Sequence, residues 1–365
     1  LITGTKIDKN HCFFKYANFN YDCLNSPDIK NNLFLGFING LWSFSNSYKL
    51  FRLINNYSTN DTIVHLHSWV NSLSPSIFYI LRKLKFKTFC TLHDYFSCCP
   101  NGGFFNYKTN KICTFKALSK NCVLSNCDSR NYFIKLWRLI RFYIQNNLVQ
   151  INSSIDNYFT ITDFSEKIIS KTLPLHKIER LNNPLSKPKA HISKPFLSNY
   201  SLYAGRLTPE KGAFWLAKNL KHLDYSLKFA GSGPDFLKIS NESNRYEMLG
   251  WLNSTLLKTY LSKCRFLIFP SLWYETQGLV VWEAASYGIP SVVSSRTAAS
   301  EFVIHGQTGF IFDPDIDGEL CKYVKILFED DNLLKEFSVN SYYHYNLNYN
   351  DDKKYLKNLL ALYNK

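Results

Sequence analysis

At 365 residues the chain is about twice the size of a common domain, so two domains with separate cores are expected. Hydrophobic residues make up 45% and charged residues 19%, which excludes a disordered chain, and no apolar run reaches the ~20 residues needed to span a bilayer as a helix. The net charge of +15 admits nucleic acid, anionic lipid or phosphorylated small molecules as partners; the lack of an RNP, helix-turn-helix or zinc-finger signature argues against nucleic acid.

The chain opens on Leu1 with neither an initiator Met nor a signal-peptide pattern, so a partial chain is expected. Four apolar runs in the first half read as strands: TIVHL (62–66), KTFCTL (87–92), NYFTIT (157–162) and KIERL (177–181). Helix-length segments separate several of them. His65 and His67, two apart on a strand end, point to the same side, and His93 and Asp94 close the next strand. Each histidine alone has an ordinary structural reading, but three at neighbouring strand ends favour a ligand cleft.

Between Cys98 and Cys127 lie five of the ten cysteines. Cys99, Cys113, Cys122 and Cys127 lack the tight C-x-x-C pair of a zinc site, so reduced structural thiols are expected, with a structural metal or a disulfide as the alternatives. The next segment, YFIKLWRLIRFYI (132–144), spaces Lys135, Arg138 and Arg141 by three among Phe133, Leu136, Trp137, Ile140 and Ile144. A helix with that spacing carries cations on one face and apolar groups on the other. It either lies on an anionic membrane surface or packs on its own sheet.

The Pro-containing stretch 182–195 reads as a linker. Beyond it, YSLYA (200–204), SLKFA (226–230), YEML (246–249), RFLIF (265–269), PSVVS (290–294) and GFIF (309–312) alternate with helix-length segments, the pattern of βα units around a parallel sheet. The fold class is therefore α/β, with two doubly wound Rossmann-like domains facing across a cleft. The expected domains are residues 1–188, 189–345 and a closing helix at 346–365 that packs back on the first domain.

Two loops in the second half carry the chemistry. After the strand ending at Ala204, Gly205, Arg206, Pro209, Lys211 and Gly212 precede a helix, an assembly suited to a diphosphate; the alternative is a surface loop with solvated cations. After the strand ending near Pro270, Glu275 falls on a loop, Gly278 starts a helix and Glu283 falls about one turn inside it. Backbone N–H groups near Gly278 and Leu279 would meet a phosphate, Glu283 could accept hydrogen bonds from ribose hydroxyls, and Glu275 is left for a sugar.

The segments GRLTPEKG and ETQGLVVWE, with AGSGP (230–234), LGWL (249–252) and SEFVIHGQTGF (300–310), resemble the C-terminal half of family 4 glycosyltransferases, retaining enzymes of GT-B fold. That resemblance, strongest to bacterial surface-polysaccharide enzymes, implies a hexosyl transfer from a nucleotide-diphosphate sugar to a saccharide or lipid-linked saccharide. It implies that Arg206 and Lys211 hold the diphosphate and that Glu275, Thr276, Gln277, Gly278, Leu279 and Glu283 hold sugar and ribose. Trp251 would lie near the base. His93 would stand beside the transferred sugar, and His65, His67 and Asp94 on the acceptor side. Catalysis would rest on His93, Glu275, Arg206 and Lys211, with no cofactor and no metal. The place of work would be the cytoplasm, peripherally on the inner membrane. The family opens with a strand and a Gly-rich loop that nothing before LITGTK supplies, so a catalytically silent nucleotide-binding subunit of a membrane-associated assembly complex is the alternative.

Overall fold

The computed structural model describes residues 2–4, 21–24, 26 and 33–365. The expectation of a missing opening strand and Gly-rich loop concerns the start of the chain, where residues 1 and 5–20 lie outside the described residues. By contacts the chain divides into two compact units. The first comprises 1–103, 114–160 and 169–179, and the second 104–113, 161–168 and 180–365. The first unit has 18 Lys and Arg against 8 Asp and Glu, so +10 of the total charge of +15 lies there.

In chain order the first unit starts with β1 (Ile2–Thr3) and β2 (Asp22–Cys23), a short parallel pair. Then come α1 (Leu33–Leu41), α2 (Phe44–Ile54), β3 (Ile63–His67), α3 (Ser76–Leu84) and β4 (Lys87–Leu92). A small antiparallel pair, β5 (Phe105–Asn106) and β6 (Lys111–Ile112), is counted with the second unit. The first unit resumes with α4 (Lys120–Leu124), α5 (Tyr132–Tyr143), α6 (Ile151–Ser154) and β7 (Asn157–Thr160); α7 (Asp163–Ile169) and β8 (Ile178–Arg180) follow. Its sheet has the order β3-β4-β7-β8, and β3, β4 and β7 run parallel. Phe89 on β4 stacks on Phe159 of β7, and both are fully buried. All four strand expectations in this half are met to within two residues at each end.

The second unit continues with β9 (Tyr200–Ala204), α8 (Ala213–Leu220), β10 (Ser226–Ala230), α9 (Phe236–Ser240), β11 (Tyr246–Gly250), α10 (Ser254–Lys263) and β12 (Leu267–Phe269). It ends with α11 (Leu279–Ser286), β13 (Ser291–Ser294), β14 (Gly309–Phe312), α12 (Glu319–Glu329), α13 (Asp331–Asn348) and α14 (Asp352–Tyr363). The six strands form one parallel sheet in the order β11-β10-β9-β12-β13-β14. Successive strand residues face opposite sides, and helices cover both, so each strand is apolar on both faces. Tyr203, Ile268 and Val292 join the core under α8, α12 and α13, while their neighbours Leu202, Leu267 and Val293 join the core under α10 and α11.

Helix α5 turns its cations inward. Lys135 is 1% exposed and Arg141 6%, whereas Phe133 is 80% and Ile140 52% exposed. The cations thus face the body of the first unit, while Phe133 and Ile140 face out. Inward cations are tolerated because each has partners. Lys135 donates to Cys127 at 3.0 Å and Cys122 at 3.6 Å. Arg138 pairs with the buried Asp128 at 3.0 Å. Arg141 donates to Leu73 O at 2.6 Å and lies over the rings of Trp69 and Trp137. Among the described residues no helix is long and apolar enough to cross a membrane.

A second buried cation ties the C-terminal helices to the sheet. Arg265 donates to the carbonyls of Leu327 (2.8 Å), Phe328 (3.1 Å), Phe196 and Ser198 (3.3 Å each) and pairs with Asp331. Removing it strands several buried acceptors at once, so Arg265→Ala is predicted to lower unfolding stability by about 3–5 kcal/mol. Urea denaturation followed by circular dichroism measures this. A loss within 0.5 kcal/mol would contradict the pinning role.

Candidate functional site

The sheet order of the second unit reverses direction between β9 and β12. In doubly wound sheets a ligand binds at the carboxyl ends of the strands at such a switch point, because the following loops diverge there and leave a crevice. β9 ends at Ala204 and leads into Gly205–Gly212; β12 ends at Phe269 and leads into Pro270–Gly278. The two loops carrying the sequence motifs are therefore the two that flank the switch point.

They are stitched together. Leu272 N–H donates to Glu210 O at 2.9 Å. Gly212, at φ +70°, lies so close to the β12 end that a Cβ there would meet Pro270 O at 2.2 Å, so a side chain is excluded by space as well as by backbone conformation. The ammonium of Lys211 pairs with Glu275 Oε2, and Trp273 Nε1–H donates to the same oxygen at 3.0 Å. Lys211 also lies over the Trp273 ring, 5.1 Å from its centroid. Both charged side chains are more than four-fifths buried, which strengthens their attraction relative to a surface pair.

Arg206 is 63% exposed along its side chain and pairs at 3.2 Å with Glu210, which is 3% exposed. A buried carboxylate thus holds the guanidinium of an exposed cation. Gly278, at φ +78°, begins α11 with no side-chain cap, so the first N–H groups of α11 have no intrahelical acceptor. Glu283 is the fifth residue of that helix and half-buried. Burial raises its carboxyl pKa, and Lys258 and Lys189 oppose the rise. A cavity of about 290 Å³ gathers Gly205, Arg206, Gly231, Ser232, Trp251 and Val280. It brings Trp251 and Arg206 together across three motifs. Gln277 is buried and accepts from Asn183 Nδ2 at 2.7 Å, Thr276 O accepts from Thr162 Oγ1 at 2.8 Å, and Leu279 is exposed.

The remaining predicted residues belong to the first unit. His67 Nδ1 and His93 Nε2 are 3.0 Å apart, the rings of His65 and His67 are 4.2 Å apart, and His65 Nε2 meets Thr91 Oγ1 at 2.7 Å. The strand ends of β3 and β4 thus gather the three imidazoles. Burial holds all three in the neutral form, with mutual repulsion adding to it for His65 and His67: His65 is lowered to about 3, His67 to about 4, and His93 below its ordinary value. Asp94 accepts from Phe96 N–H at 3.1 Å, and burial raises its carboxyl against the pull of Arg141.

Of the four cysteines singled out in the sequence, Cys122 and Cys127 are thiols that both accept from the Lys135 ammonium between them. Among the described residues no set of three or more His, Cys, Asp or Glu is arranged to hold a metal ion. Sequence reasoning missed Glu210, Trp273 and Asn183. The i,i+4 spacing of Arg206 and Glu210 and the place of Trp273 two residues before Glu275 were usable signals; Asn183 approaches the site only through folding.

Because the histidines bind protons less readily folded than unfolded, the unfolded chain takes up more protons between about pH 4 and 6.5. Stability is therefore predicted to fall as pH falls through that window, and His67→Gln to flatten the fall. Imidazole NMR titration checks the cause: ring signals moving near pH 6.5 would contradict the clustered arrangement.

Residues 189–344 match the family described as glycosyl transferases group 1. An uncharacterized glycosyltransferase of Methanocaldococcus jannaschii is 27% identical over 207 residues, 53% of this chain and 59% of that protein. The capsular polysaccharide biosynthesis glycosyltransferase CapM of Staphylococcus aureus is 24% identical over 208 residues, 54% of this chain and 53% of that protein. The chain thus spans less than two thirds of the length of both. Among solved structures, HepE of Anabaena in complex with UDP and glucose superposes with a TM-score of 0.63 at 16% identity, covering 87% of this chain and 81% of that one. The fold is that of the GT-B glycosyltransferases, as the motifs implied.

Proposed function

With residues 189–344 a segment of the group 1 glycosyl transferases, we propose that this chain transfers a hexosyl group from a nucleoside-diphosphate sugar to a saccharide or lipid-linked saccharide, with retention at the anomeric carbon. The observation that carries the reading is the pairing of Lys211 with Glu275 at the switch point, inside the matched segment. UDP is the favoured nucleotide, since the Anabaena neighbour binds UDP.

On this reading Arg206, Lys211 and the uncapped start of α11 meet the donor diphosphate, where negative charge grows as the sugar departs. Glu283 accepts from the ribose hydroxyls, Trp251 and the cavity beside it take the base, and Glu275 with Thr276, Gln277, Gly278 and Leu279 borders the sugar. Both cations are paired with carboxylates, Arg206 with Glu210 and Lys211 with Glu275. The donor must therefore draw Lys211 from Glu275, and Glu275 released from that pair is free to accept from a sugar hydroxyl. The anomeric carbon loses its bond to the phosphate oxygen and gains one to the acceptor oxygen on the same face, the acceptor proton passing to the departing phosphate. Neutral His93 orients sugar and acceptor, with His65, His67 and Asp94 behind it. The cations at the phosphates take the part a metal would otherwise play.

Work beside an anionic membrane completes the proposal. Helices α1 to α6 contain no carboxylate at all, while Phe44, Phe133, Ile140 and Leu124 on them are exposed. Arg206→Ala with Lys211→Ala is predicted to slow turnover by at least the ~3–4 kcal/mol lost with a single electrostatic donor. Release of nucleoside diphosphate from the full chain with lipid-linked acceptor measures it, and unchanged release would remove the phosphate site assigned here.

A further inference from the structure

We propose that the first unit holds a second anion site, for a phosphate group, in the cavity behind α5 walled by Arg130, Arg138 and Arg141. The cavity measures about 130 Å³, the space of several waters, and Asn71, Phe96 and Gln145 line it as well. Every residue that lines it belongs to the first unit.

Three observations converge there. The first is charge. Three guanidiniums face the cavity, and the carboxylate of Asp128 serves two of them, Arg138 Nε at 3.0 Å and Arg130 Nε at 3.6 Å. Asp94 acts on Arg141 from the end of β4, and Lys135, on the same helix, is turned to Cys122 and Cys127. The α3, α4, α5 and α6 helices add no acidic side chain.

The second is an unsatisfied donor. Arg141 is 6% exposed, and its Nη2 donates to Leu73 O, but its Nε–H has no acceptor among the described residues. A buried guanidinium N–H without an acceptor is costly, and an anion in the cavity supplies one. Burial, followed by repulsion from Arg138, already pushes the Arg141 pKa down to about 10 against the pull of Asp94, and a bound anion relieves both. The planar fork of Arg matches the oxygens of a phosphate, which makes phosphate the favoured class over a carboxylate or a halide.

The third is position. The lining residue Val70 comes three residues after His67, and Phe96 three after His93. The cavity therefore borders the carboxyl ends of β3 and β4, the end of the sheet at which the imidazoles cluster. Resting on the function proposed above, the phosphate is that of the acceptor, on a lipid-linked saccharide; free phosphate presents the same chemistry.

The test uses the full chain carrying Arg206→Ala and Lys211→Ala, so that the donor site cannot contribute. Calorimetry at low salt with inorganic phosphate, inorganic pyrophosphate and farnesyl phosphate should still detect binding. Adding Arg130→Gln, at a side chain 49% exposed, should weaken it by roughly tenfold or more, as expected for a lost charged hydrogen bond. Arg141→Lys, which keeps the charge and loses the fork, should weaken it as well, with thermal unfolding as the check on folding. Tighter binding of farnesyl phosphate than of phosphate assigns the site to a lipid-linked acceptor, and equal binding to the bare anion. No binding by the background variant, or binding indifferent to Arg130→Gln, overturns the proposal. Either result leaves the donor-site reading intact, since that reading is tested by turnover of the unmodified chain.

Discussion

The arrangement of the second unit depends on one constraint, the reversal of strand order between β9 and β12. Strands running outward in both directions from that point send their following loops apart, and the two loops left beside the gap are Gly205–Gly212 and Pro270–Gly278. Opposite charges placed on the two loops, Lys211 on one and Glu275 on the other, hold the gap at a fixed width. Gly212 follows from the same constraint, because the loops approach too closely at Pro270 for any side chain. A pair made of a cation suited to phosphate and a carboxylate suited to a sugar hydroxyl is at once a structural tie and a charge store that an incoming ligand can redistribute.

The first unit solves a different problem. It carries two thirds of the net charge and still buries cations along the inner face of α5. Thiols, a carboxylate, carbonyls and indole rings receive those cations, and the helix is left with an apolar outer face. The inward cations and the imidazoles of His65, His67 and His93 make the carboxyl end of that sheet rich in donors and poor in carboxylates. Such an end suits anionic or hydroxyl-rich ligands.

The sequence made the strands of the second unit legible because a parallel strand covered on both sides is a near-continuous apolar run, so YSLYA or GFIF stands out whatever surrounds it. Glu275 on a loop and Glu283 inside a helix were also legible, since Gly278 marks where α11 must begin. The orientation of α5 was not. Periodicity shows that a helix has two faces, but which one turns inward depends on partners such as Asp128, Asn101 and Leu73, which the spacing of 132–144 does not contain. The cysteine segment was legible only as a run of thiols: which of them meet depends on folding, since Cys113 is counted with the second unit and Lys135 lies between Cys122 and Cys127. Asn183 escaped notice because an amide becomes a site residue only through the hydrogen bond it makes.

The most direct test of the central claim is calorimetric titration of the full chain with a panel of nucleoside-diphosphate sugars, in parallel with Lys211→Ala. Binding of at least one UDP sugar, weakened by roughly tenfold or more when the ammonium at position 211 is removed, is the result this account predicts. Failure of every donor in the panel to bind, or binding that is indifferent to Lys211, would contradict it.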